Sequence, residues 1–489
     1  MKLATRTLGG AAVFGFALFA WHIGCGAPAR QAPASRAALP PPVVSTPPAH
    51  VPPTQRGPHA WKRDAEGNEL TPVLPPGTDP DAPLIVNVPI EDASGRAFAA
   101  FYEALQRIET EHTQARVVVY GASHVASDLY TDIVRSKLQA RFGEAGVGFV
   151  QPLRAVSGYR SAGVTFEQAT GWNGVHVKAR TPVNDRYGLG GIYLTAAQSK
   201  KGAQLSFVTR PHAGLTGNAD SLELWYLKQP RGGKLRLTID GVEHTLNTQS
   251  KTPKPGYERY SLADAQHRVE LIAQGNAPVQ LFGVVMERNE PGVIVDSLGI
   301  PGSRARYQLL WDDAIYREQL ARRKPNLVVL AYGTNESGDD EEPIENYTSD
   351  LRKVLGRVRE VVPNASCLLI GPSDRPIENP DGTFIDRPRT TQIVEVQRQL
   401  SAEYGCGFFD MVAFMGGKLA MLRWVNSLPP LGTPDYVHFT RTGYEALGNA
   451  LHAALMAGFA PVSAPAPVPP TAAGRTRSTS ASLSGSRNQ

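Results

Sequence analysis

A chain of 489 residues with 42% hydrophobic content has room for two or three domains with sizeable cores, which excludes a wholly disordered protein. The formal net charge of +5 is small for this length, and no long basic run is interleaved with aromatic residues, so nucleic acid is not an expected partner. Three cysteines are too few for a disulfide scaffold and are wrongly spaced for a zinc site.

The first 25 residues have the pattern of an export signal. Lys2 and Arg6 precede an apolar stretch from Leu8 to Ala20, which has the length of a signal-peptide core and is short for a membrane span. We therefore expect an exported protein of the periplasm or outer envelope. The apolar stretch ends shortly before Cys25, so two alternatives stay open: a lipid anchor on this cysteine, or an uncleaved membrane anchor.

Two further segments have the composition of linkers and tails. Residues 26–90 are predicted to form a linker, because proline and alanine dominate 27–58 and favour an extended tether over a packed unit. Residues 460–489 are predicted to be a disordered tail for the same reason. Neither segment is expected to carry chemistry.

Residues 91–155 and 290–459 have the rhythm of an α/β domain, in which apolar strand-like runs alternate with helical patterns. The strand candidates are "RVVVYGAS", "GVIVDSLGI", "NLVVLAYGTNE", "SCLLIGPSD" and "GCGFFDMV". A helix is predicted over 347–361, where apolar residues recur every three or four positions. Together these runs predict a parallel sheet that is covered by helices on both faces.

Residues 156–289 change to a period of two, with short strand-like runs separated by turn residues. Asp240 and Gly241 form a strong hairpin signal within this segment. The pattern predicts a jelly-roll-like β-sandwich inserted into the α/β domain. Trp172, Trp225 and Tyr226 are either core residues or flat surfaces for sugar rings, and Trp225 and Tyr226 point to opposite faces of one strand.

Cys367 and Cys406 each lie in or beside a predicted strand of the second α/β segment. They are either two buried thiols or one disulfide between neighbouring strands, which an exported protein permits. The sequence leaves these alternatives open.

Ser123 follows the first predicted strand and precedes a helical pattern. One explanation is a helix N-cap, and the other is a nucleophile at the carboxyl edge of the sheet, where open α/β folds place their sites. A nucleophilic serine needs an imidazole base, a carboxylate that orients it and donors for the oxyanion. Asp435 and His438 stand three residues apart before the last helix, and Gly302 and Asn335 follow two other strands.

These segments resemble the blocks of the SGNH (GDSL-type) hydrolase family. Ser123 lies in "GASH", Gly302 in "GIPGSRA", Asn335 in "GTNE", and Asp435 with His438 in "DYVH". The resemblance implies a flavodoxin-like three-layer domain and ester hydrolysis by a Ser, His, Asp triad. It also implies an oxyanion hole built from the glycine and the asparagine, with neither metal nor cofactor.

One departure from the family pattern is visible at the first block. Ala122 occupies the place where the family usually has an aspartate, which puts the local hydrogen bonding of the turn in question. His124 follows the serine, as it does in a subset of the family, and we interpret it as a structural residue.

The export signal, the tether and the inserted β-sandwich together resemble the layout of bacterial peptidoglycan O-acetylesterases. We therefore predict a serine esterase that removes O-acetyl groups from a cell-envelope polysaccharide, with peptidoglycan as the expected substrate. The alternatives are a polysaccharide O-acyltransferase, a lipase-like esterase with the same triad and a non-catalytic glycan-binding protein. The insert is predicted to lie beside the active-site edge and to help hold the polymer, or else to be a spacer.

Overall fold

The computed structural model describes residues 82–178 and 184–461. The predicted export signal, Cys25, most of the predicted linker and nearly all of the predicted tail lie outside these ranges. The end of the predicted linker, residues 82–90, is described and packs against the core, where Val86 N donates to Phe414 O at 2.8 Å. Within the described ranges, no helix is long and apolar enough to cross a membrane.

The helices of the described residues are, in chain order, α1 Ala99–Glu111, α2 Ser123–Ala126, α3 Tyr130–Phe142, α4 Asp313–Arg323, α5 Ile344–Val361, α6 Pro388–Glu403, α7 Met411–Phe414, α8 Ala420–Asn426 and α9 Arg441–Met456. Short 3-10 helices span Ala305–Leu310 and Glu336–Gly338. The helix predicted over 347–361 is confirmed as the greater part of α5, and its predicted apolar face is buried.

The strands of the described residues are, in chain order, β1 Gln114–Gly121, β2 Gly146–Val150, β3 Val164–Thr170, β4 Trp172–His176, β5 Ile192–Ala196, β6 Ala203–Thr209, β7 Ala219–Lys228, β8 Lys234–Ile239, β9 Val242–Asn247, β10 Lys254–Ala265, β11 Arg268–Ala273, β12 Val279–Glu287, β13 Gly292–Gly299, β14 Leu327–Ala331, β15 Ser366–Ile370, β16 Ile377–Glu378, β17 Phe384–Ile385 and β18 Gly407–Phe409.

The α/β part is built on a five-stranded parallel sheet with the order β13-β1-β14-β15-β18. Counted along the chain, this is the 2-1-3-4-5 order of flavodoxin-like folds. Val117 and Val119 of β1 face a core shared with α1, α3 and α9, whereas Val118 and Tyr120 face a core shared with α4, α5 and α6. The predicted three-layer α/β fold is therefore confirmed.

The carboxyl end of β1 lies between the carboxyl ends of two neighbouring strands. β1 lies between β13 and β14, in parallel register with both, so the carboxyl ends of all three strands meet at one edge. In open α/β sheets, ligands bind at the carboxyl ends of the strands, in the crevice at the point where the strand order reverses. The residues that follow β1, β13 and β14 are consequently brought together there.

The β-rich part consists of two sheets that share one hydrophobic core, as the predicted β-sandwich requires. One sheet has the order β10-β7-β12-β5-β4, with β2 also paired to β12, and the other has the order β3-β6-β11-β8-β9. The predicted hairpin at Asp240 and Gly241 joins β8 to β9, and both residues have positive φ. β2 lies ahead of residue 156, where the sequence pattern placed the start of the insert.

The proposed sugar-stacking role of three aromatic residues in this part is wrong. Trp172, Trp225 and Tyr226 are 7%, 1% and 1% exposed, so none offers a ring face to solvent. Trp225 and Tyr226 do point to opposite faces of β7, but both faces are covered: Tyr226 packs in the sandwich core and Trp225 packs in the core shared with the α/β part. At β7, therefore, neither face of the sheet is open to solvent.

Cys367 and Cys406 form a disulfide. Cys367 lies in β15 and Cys406 directly precedes β18, which is the neighbouring strand of the parallel sheet. The bond therefore joins two segments 39 residues apart in sequence at the end of the sheet away from β13.

A buried ionic cluster joins the β-rich part to the α/β part. Arg323 of α4 makes a two-pronged contact with Asp296 of β13 and also donates to Glu287 of β12. Their side chains are 4%, 0% and 8% exposed. Burial by itself raises the pKa of Glu287, but the charges of Arg323 and Arg116 outweigh it and lower that pKa to about 2. Asp296 depends on the Arg323 guanidinium for its compensation, whereas Glu287 also pairs with Arg116 at 3.2 Å.

We expect the Arg323→Met variant to lose about 3–5 kcal/mol of unfolding free energy, because removal of one partner leaves buried charge without compensation. Denaturant unfolding at pH 7 measures the loss. The matched control is Arg317→Met on the same helix, whose exposed ion pairs should contribute at most about 1 kcal/mol. Equal stability of the two variants would contradict this account.

The same cluster predicts a pH dependence of stability. Because the folded pKa of Glu287 is about 2 and its usual value is 4.5, its ionised form stabilises the fold above pH 4.5. This contribution is lost as the pH falls from 4.5 towards 2. The loss should be smaller in Arg323→Met, where the larger of the two charges that lower this pKa is absent and only Arg116 remains.

Candidate active site

Ser123 is the first residue of the short helix α2, directly after β1. The N-cap of this helix is Ala122, and no side chain caps it, so the N-cap explanation for the serine is wrong. The serine hydroxyl instead lies 2.8 Å from Nε2 of His438. Ser123 is half-buried, and it follows the carboxyl end of β1.

His438 connects the serine to a carboxylate. Its Nε2 contacts Ser123 Oγ, and its Nδ1 lies 2.6 Å from Oδ2 of Asp435. An Nδ1–H that donates to a carboxylate leaves Nε2 unprotonated and able to accept the serine proton. The three side chains predicted to act together are therefore in one hydrogen-bonded chain.

Asp435 is held by the loop that precedes α9. Its Oδ1 accepts hydrogen bonds from the Thr433 hydroxyl at 2.7 Å, from Val437 N at 3.0 Å and from His438 N at 2.9 Å. Partial burial raises the pKa of Asp435, but these bonds and the bond from the His438 ring together lower it well below its usual 3.8. The carboxylate is thus ionised at neutral pH and fixed in orientation.

Gly302 occupies a tight turn after β13. Ile300 O accepts a hydrogen bond from Ser303 N at 2.9 Å, which closes a turn with Pro301 and Gly302 at its centre. Gly302 has φ +70, and a positive φ at this position defines a type II turn, for which proline and glycine are the preferred pair. Among the described residues, the Gly302 N–H has no hydrogen-bond acceptor, so it is available to a ligand.

Asn335 is the N-cap residue of the 3-10 helix Glu336–Gly338 that follows β14. Its Nδ2 donates one hydrogen to Ser303 O at 3.0 Å, which ties it to the Gly302 turn. A side-chain amide carries two N–H groups, so a second hydrogen remains for another acceptor. The predicted oxyanion residues Gly302 and Asn335 therefore lie on two loops that are directly connected, on either side of β1.

Glu336 is a residue of this site that the sequence reasoning missed. Its two carboxylate oxygens accept from Ala305 N at 2.8 Å and from Gly333 N at 3.0 Å, so it bridges the loop after β13 to the loop after β14. Burial raises its pKa, although the backbone N–H groups that it accepts act in the opposite direction. Its position next to Asn335 in "GTNE" was the available signal.

His124 and Ala122 support the site without contacting the serine hydroxyl. His124 is buried beneath His438, with ring centroids 5.6 Å apart, and its Nδ1 lies 2.9 Å from the Tyr444 hydroxyl. Burial, and then the neighbouring His438, lower the pKa of His124 to about 3, so it stays neutral. These contacts agree with the structural interpretation of His124. Ala122 occupies the place where the family pattern has an aspartate. It is the N-cap residue of α2, and no side chain caps that helix.

The arrangement has the parts that acyl transfer requires: a hydroxyl, an imidazole that can take its proton, an ionised carboxylate and two donors on flanking loops. Within residues 82–178 and 184–461, no group of His, Cys, Asp or Glu side chains is placed to hold a metal ion.

Residues 263–446 match the GDSL-like lipase/acylhydrolase family. The match contains Gly302, Asn335, Asp435 and His438, and it begins within the β-rich part, so Ser123 lies ahead of it. No curated protein matches the sequence significantly.

Among solved structures, one is described as a peptidoglycan O-acetylesterase in action, at 5 min. It has a TM-score of 0.62 and 23% sequence identity, and the match covers 75% of this chain and 98% of that chain. A family two carbohydrate esterase from Clostridium thermocellum in complex with cellohexaose has a TM-score of 0.25 and 12% identity, over 59% and 98%. The salicylyl-acyltransferase SsfX3 has a TM-score of 0.28 and 14% identity, over 60% and 93%.

Proposed function

We propose that this chain, a carboxylic ester hydrolase that carries a GDSL-like lipase/acylhydrolase domain, removes O-acetyl groups from a cell-envelope polysaccharide, with peptidoglycan as the substrate. The hydrogen-bonded chain from Ser123 through His438 to Asp435 is the observation that carries the proposal. It lies at the carboxyl edge of the parallel sheet, where open α/β folds bind their ligands.

In the proposed first half-reaction, Ser123 Oγ attacks the acetyl carbonyl carbon while His438 Nε2 takes the hydroxyl proton. The imidazolium that forms is stabilised by the ionised Asp435. Gly302 N–H and the second Nδ2 hydrogen of Asn335 donate to the oxyanion. The ester bond then breaks, the sugar oxygen takes the proton from His438, and an acetyl group remains on the serine.

In the second half-reaction, His438 takes a proton from water, and the resulting hydroxide attacks the acetyl-serine. The intermediate collapses to acetic acid as His438 returns the proton to Ser123 Oγ, and the acid then ionises to acetate in solvent. His124, which is neutral and lies beneath His438, adds no second positive charge when the imidazolium forms.

The polysaccharide part of the proposal is supported by the layout of the chain. The β-rich part packs directly against the α/β part and reaches the Gly302 turn, where Lys178 contacts Pro301. The likeness in fold to the structure described as a peptidoglycan O-acetylesterase extends over this layout. A glycan that lies in the crevice would meet both parts, whereas a small ester would meet the α/β part alone.

The substrate is tested by measuring acetate release by mass spectrometry from O-acetylated peptidoglycan, acetylated xylan and p-nitrophenyl acetate. We expect the largest kcat/KM on peptidoglycan, with no release by Ser123→Ala. Preference for xylan would contradict the peptidoglycan assignment. Acetate that appears on an added glycan acceptor, and not in solution, would replace hydrolysis with acyl transfer.

The Asn335→Ala variant should lower kcat on p-nitrophenyl acetate by about 10²-fold or more, because one oxyanion donor is removed. KM should change much less, since the ground-state carbonyl makes the weaker bond. Asn346→Ala, an exposed position on α5, is the matched control and should keep the parent kcat. A parent-like kcat in Asn335→Ala would remove this residue from the oxyanion hole.

Export is part of the same proposal. Lys2, Arg6 and the apolar stretch after them support it, and Cys25 is the proposed lipid-attachment site. Cell fractionation and mass analysis of the mature amino terminus test both statements. Retention of the unprocessed chain in the cytoplasm would contradict them.

A further inference from the structure

We propose that Lys178, supplied by the β-rich part, is a positioning residue that fixes the peptide between Pro301 and Gly302 in the orientation that aims the Gly302 N–H at the oxyanion. This inference rests on the proposed function, in which Gly302 N–H is an oxyanion donor. It assigns to the β-rich part a role in the chemical step itself.

The contact that carries the inference is a single charged hydrogen bond. Lys178 Nζ donates to Pro301 O at 2.5 Å. A Cβ placed on Gly302 would lie 2.5 Å from the same nitrogen, so the ammonium sits directly against this turn. The carbonyl that it holds and the Gly302 N–H belong to one peptide unit.

The geometry of that peptide explains why the contact matters. In a planar trans peptide, C=O and N–H point in opposite directions, so a donor that holds the carbonyl on one side fixes the N–H on the other. This peptide is the central one of the turn, and type I and type II turns differ in its orientation. A flip would turn the N–H of Gly302 away from the crevice, and the bond from Lys178 opposes that flip.

A charged donor on the carbonyl also polarises the peptide, because hydrogen bonds in a chain strengthen one another. The Gly302 N–H is therefore a stronger donor when Lys178 is bound to Pro301 O. Arg304 follows Gly302 on the loop after β13. Partial burial of Lys178 lowers its pKa, and the charge of Arg304 lowers that pKa further. The Lys178 ammonium thus favours the negative charge that develops at this corner, whereas Arg304 is paired with Asp339.

The lysine is held in place by the segment that precedes it. Lys178 follows β4 by two residues, and the preceding Val177 is buried in the core that also contains Ile300. Val177 N donates to Gly191 O at 3.0 Å. The backbone that presents the ammonium is therefore packed against the strand end that leads to the Gly302 turn.

The test compares Lys178→Met, Lys178→Gln and Lys178→Arg on p-nitrophenyl acetate, a small ester that needs no polymer contact. We expect kcat to fall by about 10-fold in the Met and Gln variants, with little change in KM. This fall is smaller than the one expected when an oxyanion donor is removed altogether. Lys178→Arg keeps the charge and a donor, so it should retain kcat to within about threefold. Lys254→Met, at an exposed lysine of β10, is the matched control.

A parent-like kcat in Lys178→Met, a change in KM alone, or an Arg variant as slow as the Met variant would overturn the inference. If Lys178→Met lowers the melting temperature, the kcat ratio between Lys178→Arg and Lys178→Gln decides in its place. Ser123→Ala is assayed in parallel. If it stays active, the proposed function fails, and if it is inactive while Lys178→Met is parent-like, only this inference fails.

Discussion

Ser123→Ala should lose essentially all ester hydrolysis, with kcat on p-nitrophenyl acetate lower by about 10⁴-fold or more. The reason is that the hydroxyl forms the covalent acetyl-serine, and no other hydroxyl takes its place at 2.8 Å from His438 Nε2 among the described residues. A residual rate roughly 10³-fold above that of the uncatalysed reaction in water is compatible with this expectation, because the oxyanion hole and substrate binding survive the loss of one triad member.

The control for this variant is Ser136→Ala. Ser136 lies on α3, and its hydroxyl donates only to the backbone, to Asp132 O at 2.6 Å, so its removal should leave kcat unchanged. Circular dichroism and the melting temperature establish that both variants are folded. A Ser123→Ala enzyme with most of its turnover would exclude this serine as the nucleophile.

His438→Ala should lose kcat by a similar factor of about 10⁴ or more, because the serine hydroxyl is a weak nucleophile without a base. The more specific expectation concerns the double variant. Ser123 and His438 act as one unit in the proposed step, so Ser123→Ala with His438→Ala should be no slower than the slower single variant. Steady-state assays at high enzyme concentration measure all three.

Losses that multiply in the double variant would contradict a coupled pair. The control histidine is His244 of β9, which belongs to the β-rich part and has no contact with the serine. His244→Ala should keep the parent rate. A similar loss there would indicate a general effect of histidine removal on the fold.

The parallel sheet was predictable because its strands are buried on both faces. Such strands read as continuous apolar runs, and each of the five runs named from the sequence corresponds to one strand of the sheet. The type of turn between β8 and β9 was also visible, since Asp240 and Gly241 both adopt positive φ. Local chemistry is sufficient for these elements.

Two edge strands of the β-rich part were not predictable in the same way. β3 and β10 lie at the edges of their sheets and have one buried residue each, so they lack the apolar alternation that identifies a half-buried strand. The burial of both Trp225 and Tyr226 stayed one of two alternatives for a related reason. A sequence pattern does not reveal that a second core covers the outer face of a sheet.

The residues of the candidate site could be named from sequence because each follows a strand of the parallel sheet or precedes the last helix, and because their order matched a family. Their catalytic roles stay predictions. Glu336 and Lys178 were missed, since their significance depends on which loops the fold brings together. The disulfide was undecided for the same reason, because only the strand order makes Cys367 and Cys406 neighbours.

The most direct test of the central claim, that Ser123 is a nucleophile activated by His438, is covalent labelling with a fluorophosphonate followed by peptide mass spectrometry. We predict a single adduct on Ser123, absent in Ser123→Ala and formed far more slowly in His438→Ala. An adduct on another residue, or equal labelling rates in the parent and in His438→Ala, would contradict the account.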